Sequence, residues 1–252
     1  MKGIGNLPYV DCQQAMAEEM ERLRDLNLEI CHGIATGSIL AGVYGPGIME
    51  SERFGNFLAM KKNLTPELSD LQGMWNKMTH NQQNIFAKLY LKLYNPSTVV
   101  YLRQQRPGMD PILAYLRKGD ENLFDWTANM DGFPNLRRWL EDVKGPIFES
   151  YGRIIFFIHE HDCKLLIHRD GMSYVPHNNE FLWLNPTRSK KFFIYDEDTG
   201  DRHHVDTGAA FFNDLDMHGG EVGESMSWSL RIDGKFSKEF KRKIGIDHLD
   251  RY

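Results

Sequence analysis

The spacing of hydrophobic and polar positions changes near residue 150. Before it the period is mainly helical. Met16, Met20, Leu23 and Ile30 recur at helical intervals behind Asp11 and Gln14, a pair with the form of a capping box. Thr65-Pro66-Glu67 is a second start signal, a cap followed by proline at the first helical position. Leu68, Leu71, Trp75 and Met78 then continue one face. Segments 81–94 and 135–144 have the same texture, stopping before Pro96 and at Gly145-Pro146. Between them "STVVYLRQQ" (97–105) predicts a strand.

From Arg153 the texture is that of short strands. "RIIFFI", "KLLIHRD", "EFLWLNP", "KKFFIYD", "HHVDTG", "AAFFND" and "SWSLRIDG" are β-branched or aromatic segments divided by polar turns such as "HEHD", "EDTGD" and "HGGEVGE". This spacing predicts an antiparallel sandwich or barrel, the jelly-roll arrangement. The expected class is α+β. A mainly helical region, 1–145, covers a β core at 146–236, and 237–252 forms a C-terminal tail.

Composition narrows the reading without deciding it. Hydrophobic residues at 41% and charged residues at 26% are ordinary values for a globular chain of 252 residues. A net charge of −5 gives no general attraction to nucleic acid or to anionic membrane. Cys12, Cys31 and Cys163 form no CxxC pair and read as reduced thiols, which points to the cytoplasm. The first residues lack the apolar core of a secretory signal. The run "IIFFI" (154–158) is far too short to span a bilayer.

The candidate chemistry centres on "KLLIHRDG" (164–171). His168-Arg169-Asp170 spells the catalytic-loop motif of a protein kinase, but the magnesium-binding Asn that should follow is Val175. No GxGxxG loop occurs either. The same letters spell His-x-Asp, two ligands of a 2-His-1-carboxylate iron site that leaves one face of the metal open. Three such triplets occur: His168-x-Asp170, His204-x-Asp206 and His248-x-Asp250. The third has no histidine after it, and His218 follows Asp206 by only twelve residues. His218 follows His168 by fifty, room for the strands a jelly roll inserts between neighbours. Arg231, thirteen residues beyond His218, sits in "SWSLRIDG". A buried arginine needs an anion, and its fork suits a carboxylate, either that of a bound molecule or that of Asp233 or another acid in a structural salt bridge. Ser229, two residues earlier on the same face, can add a hydroxyl.

His168-x-Asp170, His218 and Arg231 in this order resemble the Fe(II)/2-oxoglutarate-dependent oxygenases. "AAFFNDLDMHGG…SWSLRIDG" is similar to the closing strands of their aspartyl/asparaginyl and proline hydroxylase branch. The resemblance covers roughly 150–234. It implies a double-stranded β-helix in which His168, Asp170 and His218 bind Fe(II) and Arg231 pairs with the distal carboxylate of 2-oxoglutarate. Many members carry Arg-x-Ser where this chain has Asp233 two residues after Arg231, so Ser229 is the candidate helper. Asn185 and Tyr195 are further candidates for lining the co-substrate pocket. The implied reaction uses dioxygen, with ascorbate as a stimulant, and hydroxylates a C–H bond of an amino-acid or peptidyl substrate, yielding succinate and CO2. Two other readings stand beside it. One is a nucleobase or small-molecule hydroxylase. The other is a binding-only cupin-like protein in which His168 and Asp170 are dispensable. His159, His161, His203 and His204 read as solvated turn residues, Cys163 as a hairpin residue and Trp183 as core.

Overall fold

The computed structural model describes residues 3–5, 7–35, 66–83, 86, 97–159, 165–169, 180–221 and 227–249. In chain order its strands are β1 (Val10–Asp11), β2 (Ser97–Gln105), β3 (Phe124–Trp126), β4 (Phe148–His159), β5 (Leu165–His168), β6 (Glu180–Leu184), β7 (Phe192–Tyr195), β8 (Arg202–His204), β9 (Ala209–Phe211), β10 (Met217–Gly220) and β11 (Ser227–Phe236). They form a seven-stranded sheet, β1-β9-β6-β11-β4-β2-β3, and a four-stranded sheet, β5-β10-β7-β8. The strand pairings in both are antiparallel.

Strand periodicity explains how β11 organises the molecule. Trp228, Leu230 and Ile232 face one way; Ser229, Arg231 and Asp233 face the other. The apolar face meets the N-terminal helices. Trp228 donates its indole N–H to Asn27 Oδ1 at 2.9 Å, and Phe156, paired with Leu230, packs 5.6 Å from Phe133. Met16, Met20 and Leu23 join the same core, as do Leu136, Trp139 and Leu140 of the helix Pro134–Asp142. The opposite face of the large sheet meets the small one, where Trp183 of β6 stacks on Phe192 of β7 at 5.1 Å. The polar residues of β11 therefore lie between the two sheets.

The described N-terminal helices pack on one face of the large sheet. β2 is the strand expected at 97–105, while β1 and β3 add two strands to the same sheet that the sequence did not predict. Strands of two or three residues, such as β1 and β3, leave no periodic trace. The expected capping box does not form. Asp11 is a strand residue whose carboxylate accepts the Gln13 N–H at 2.8 Å, and the chain enters its helix Ala17–Asp25 through a 3-10 turn at Gln14–Met16. Pro66–Trp75 is a helix as read, while Thr65 and most of 81–94 lie outside the described residues.

The clearest departure is β10. "HGGEVGE" reads as a turn, yet Met217–Gly220 is an inner strand of the small sheet. Its glycines are there for proximity. A Cβ on Gly219 would come within 2.9 Å of the Phe193 ring, and one on Gly220 within 3.1 Å of Leu165 Cβ. Among the described residues, no helix is long and apolar enough to cross a membrane.

Candidate active site

His168 ends β5 and His218 lies directly opposite it on β10, with ring centroids 4.5 Å apart. His218 is 3% exposed and is flanked by Phe192 at 5.5 Å and Phe212 at 5.6 Å. Its Nδ1 lies 2.9 Å from the Asp216 carbonyl oxygen. A carbonyl only accepts, so Nδ1 carries a proton, and in the neutral ring Nε2 is then the nitrogen with the lone pair. That tautomer is the one a metal ligand needs. Arg169 projects to the other side of β5, where its guanidinium holds Glu197 at 2.6 Å and touches Met217. Asp170 lies outside the described residues, and among those that are described no three His, Cys, Asp or Glu residues gather at one point. The structure thus brings together two of the three expected iron ligands, with the third two residues along the chain. Of the rival triplets, His204 sits on the opposite face of the small sheet, 3.7 Å from Glu221, and His248 is exposed near the C-terminus.

Arg231 lies between the sheets, but protein carboxylates already hold its guanidinium. Nε donates to Asp233 Oδ1 at 2.9 Å and Nη2 to Asp214 Oδ2 at 2.8 Å, while the group lies 3.8 Å over the Phe181 ring. Lys118 Nζ reaches the same Asp214 at 3.3 Å and Arg153 reaches Asp233 at 2.7 Å. Three cations and two carboxylates thus share one buried cluster. Burial, then the nearby Arg231 and Arg153, push the Lys118 amine below its ordinary range. Burial pushes Asp233 up, but Arg153, Arg231 and Lys118 outweigh it and hold the carboxyl below its usual value.

This depression has a consequence in acid. As pH falls the unfolded chain takes up the proton first, so the stabilisation from Asp233 is complete above the ordinary carboxyl pKa of about 3.9 and is lost as pH drops through the folded value. Asp233→Asn should start less stable at pH 7 and lose less between pH 4 and pH 2, measured by urea unfolding. Parallel acid limbs in the two proteins would contradict this.

Ser229 faces the same interior and accepts a hydrogen bond from Lys190 Nζ at 3.0 Å. Lys190 is buried, its amine 5.2 Å from the Phe157 ring and 5.8 Å from that of Phe192, the aromatic residue that also flanks His218. The sequence gives this lysine no role: it opens the strand segment "KKFFIYD", and nothing local marks its amine as buried. Asn185 serves it indirectly. Its Nδ2 donates to the Lys190 carbonyl at 3.0 Å, and its Oδ1 lies 3.4 Å from the Lys190 N–H, which closes the turn that carries the amine inward. Tyr195 is not with the histidines. It packs with Ile167, Phe193 and Met217 on the outer face of the small sheet, because it is one residue out of phase with Ile194, the partner of His218. His203 was read as a turn residue but stands on β8 opposite Ile194, in the row His168–His218–Ile194–His203. Its Nε2 is buried with no hydrogen-bond partner among the described residues. Cys12 is a free, buried thiol whose pKa burial pushes far up, so it is inert.

No protein-family model and no curated protein matches the chain. Among solved structures it is similar to a non-heme monooxygenase, the ThoJ–Ni complex, at 15% identity and TM-score 0.27, over 40% of this chain and 49% of that one. A Pseudomonas putida prolyl-4-hydroxylase is similar at 14% identity and TM-score 0.29, over 56% and 71%. A Burkholderia pseudomallei oxidoreductase of the 2OG-Fe(II) oxygenase family is similar at 12% identity and TM-score 0.33, over 75% and 90%. The chain spans about half of the first of these. At these scores the neighbours add nothing about the chemistry of this chain.

Proposed function

We propose that the protein is an Fe(II)- and 2-oxoglutarate-dependent oxygenase that hydroxylates a C–H bond of an amino-acid or peptidyl substrate, with succinate and CO2 as co-products. In this reading the two sheets are the layers of a double-stranded β-helix. The observation that carries it is the His168–His218 pair, opposite each other across β5 and β10, with His218 Nδ1 committed to the Asp216 carbonyl. Imidazole nitrogens plus the carboxylate of Asp170 are the donor set that suits a non-haem Fe(II).

The roles in this reading rest on placement for the described residues and, for Asp170, on its sequence position two residues after His168. His168, Asp170 and His218 hold the metal. Lys190, positioned by Asn185 and bonded to Ser229, takes the distal carboxylate of 2-oxoglutarate, the role that sequence reading gave to Arg231. Arg231 is engaged by Asp214 and Asp233 and holds the interior together. Phe192, Phe212 and Trp183 keep water from the ring of His218 and from the space beside it. Bound iron, with 2-oxoglutarate and dioxygen, supplies the oxidising chemistry, and the protein fixes geometry and access.

His168→Ala and His218→Ala should each abolish Fe(II) binding in anaerobic titration while leaving the circular dichroism spectrum unchanged. Full metal stoichiometry in both variants would exclude the assignment and favour a sandwich that binds without catalysis.

A further inference from the structure

The loop Phe212–Asp216, between β9 and β10, delivers His218 to the site; Arg231 of β11 holds its Asp214 at 2.8 Å, and residues from outside the two-sheet core hold it as well. Asp216 is buried, and its carboxylate accepts the backbone N–H of Gly3 at 2.7 Å. Gly3 lies in a tight turn closed by paired Ile4 and Leu7 hydrogen bonds, at φ +64°, where a Cβ would come within 2.6 Å of the Leu7 carbonyl oxygen. Asp214 receives Lys118, which arrives from beyond the helix Pro111–Leu116 and is 1% exposed. The Lys118 backbone is fixed in turn. Its carbonyl accepts the Arg153 N–H at 2.8 Å, and Gly152 is bare because a Cβ there would lie 2.1 Å from that carbonyl oxygen. Within the loop, the Asp216 N–H donates to the Asn213 carbonyl at 2.9 Å and the Leu215 N–H to the Asn213 side chain at 3.0 Å.

The same Asp216 that is tied to Gly3 by its side chain offers its carbonyl to His218 Nδ1 at 2.9 Å. The direction of that carbonyl decides which ring nitrogen is protonated and where the other points. We infer that Gly3 and Lys118 are positioning residues for His218: through the Asp216 and Asp214 carboxylates they fix the 212–216 loop so that the ring presents Nε2 to a metal. The N-terminal region then does more than cover a sheet, since it presets one ligand of the site. This inference rests on the metal-site reading above only for its consequence. The ring geometry it describes exists without metal.

The test uses the full-length chain with Asp216→Ala, Asp216→Asn and Lys118→Met. Asparagine keeps an acceptor oxygen for the Gly3 N–H, alanine does not, and methionine keeps the Lys118 volume without its charge. Nitrogen-15 ring shifts of His218 in metal-free protein report the tautomer, and Co(II) titration reports metal affinity. Wild type and Asp216→Asn should show the Nδ1–H form alone. Asp216→Ala should show a mixed population and bind Co(II) about 10- to 100-fold more weakly, the range for loss of a group that orients a ligand. Lys118→Met should shift both readings the same way. An unchanged tautomer and unchanged Co(II) affinity in Asp216→Ala and Lys118→Met would overturn the inference. The expected tautomer change across the variants, together with no Co(II) uptake by the wild type, would reject the metal site and leave the positioning intact.

Discussion

Replacing Arg231 with alanine should cost about 3–5 kcal/mol of stability, the usual loss when one partner of a buried ion pair is removed. The guanidinium is 3% exposed and bonds both Asp214 and Asp233. Without it each carboxylate keeps one other cation, Lys118 or Arg153, and loses the group that joins the two pairs. For a domain of this size the loss corresponds to a fall in melting temperature on the order of 10 °C. Arg231→Lys should recover only part of it, because an ammonium cannot reproduce the fork that spans two carboxylates. Melting curves of the three proteins decide the point. A fully stable Arg231→Ala that had lost only 2-oxoglutarate affinity would return the arginine to the co-substrate role its sequence position suggests.

Lys190→Met should show the opposite pattern. Methionine fills the space among Phe157, Phe192 and Ser229, so the fold and Fe(II) binding should survive. Apparent 2-oxoglutarate affinity should drop roughly 10- to 150-fold, the equivalent of about 1.5–3 kcal/mol for losing a charge-assisted hydrogen bond. Lys190→Arg should restore it poorly, since a planar guanidinium does not place its donors where the lysine Nζ meets Ser229. Unchanged affinity in Lys190→Met, measured by succinate formation against 2-oxoglutarate concentration, would remove the lysine from the site.

What was legible in the sequence was whatever period and spacing encode. The alternation of "SWSLRIDG" put Ser229 and Arg231 on one face, and that is where they lie. Counting residues from His168 to His218 selected a pair that the structure sets directly opposite each other. The strand 97–105 appears with those bounds. What was hidden depends on partners. β10 looks like a turn because close packing against Phe193 and Leu165 requires the glycines that also mark turns. Lys190 and His203 look like solvent-facing residues because nothing local reveals that a turn or an edge strand aims them inward. Arg231 was recognisable as a buried cation in need of an anion. Asp233, two residues on along the same face, was the structural partner the sequence offered, and it is one of the two. That Asp214 is the other follows from a loop path, which spacing does not encode. The phase of Tyr195 was misjudged for a simpler reason. A four-residue strand shows its aromatic positions but not which of them faces the core.

The most direct test of the account is anaerobic titration of the wild-type chain, first with Fe(II) and then with 2-oxoglutarate, followed by visible absorption. Metal uptake should saturate at a single Fe(II) per chain, and a weak charge-transfer band should appear only when both are present. It should be absent in His218→Ala and require far more 2-oxoglutarate in Lys190→Met. Fe(II) uptake without any band in the wild type, at saturating 2-oxoglutarate, would contradict the proposed co-substrate and leave a metal-binding sandwich without this chemistry.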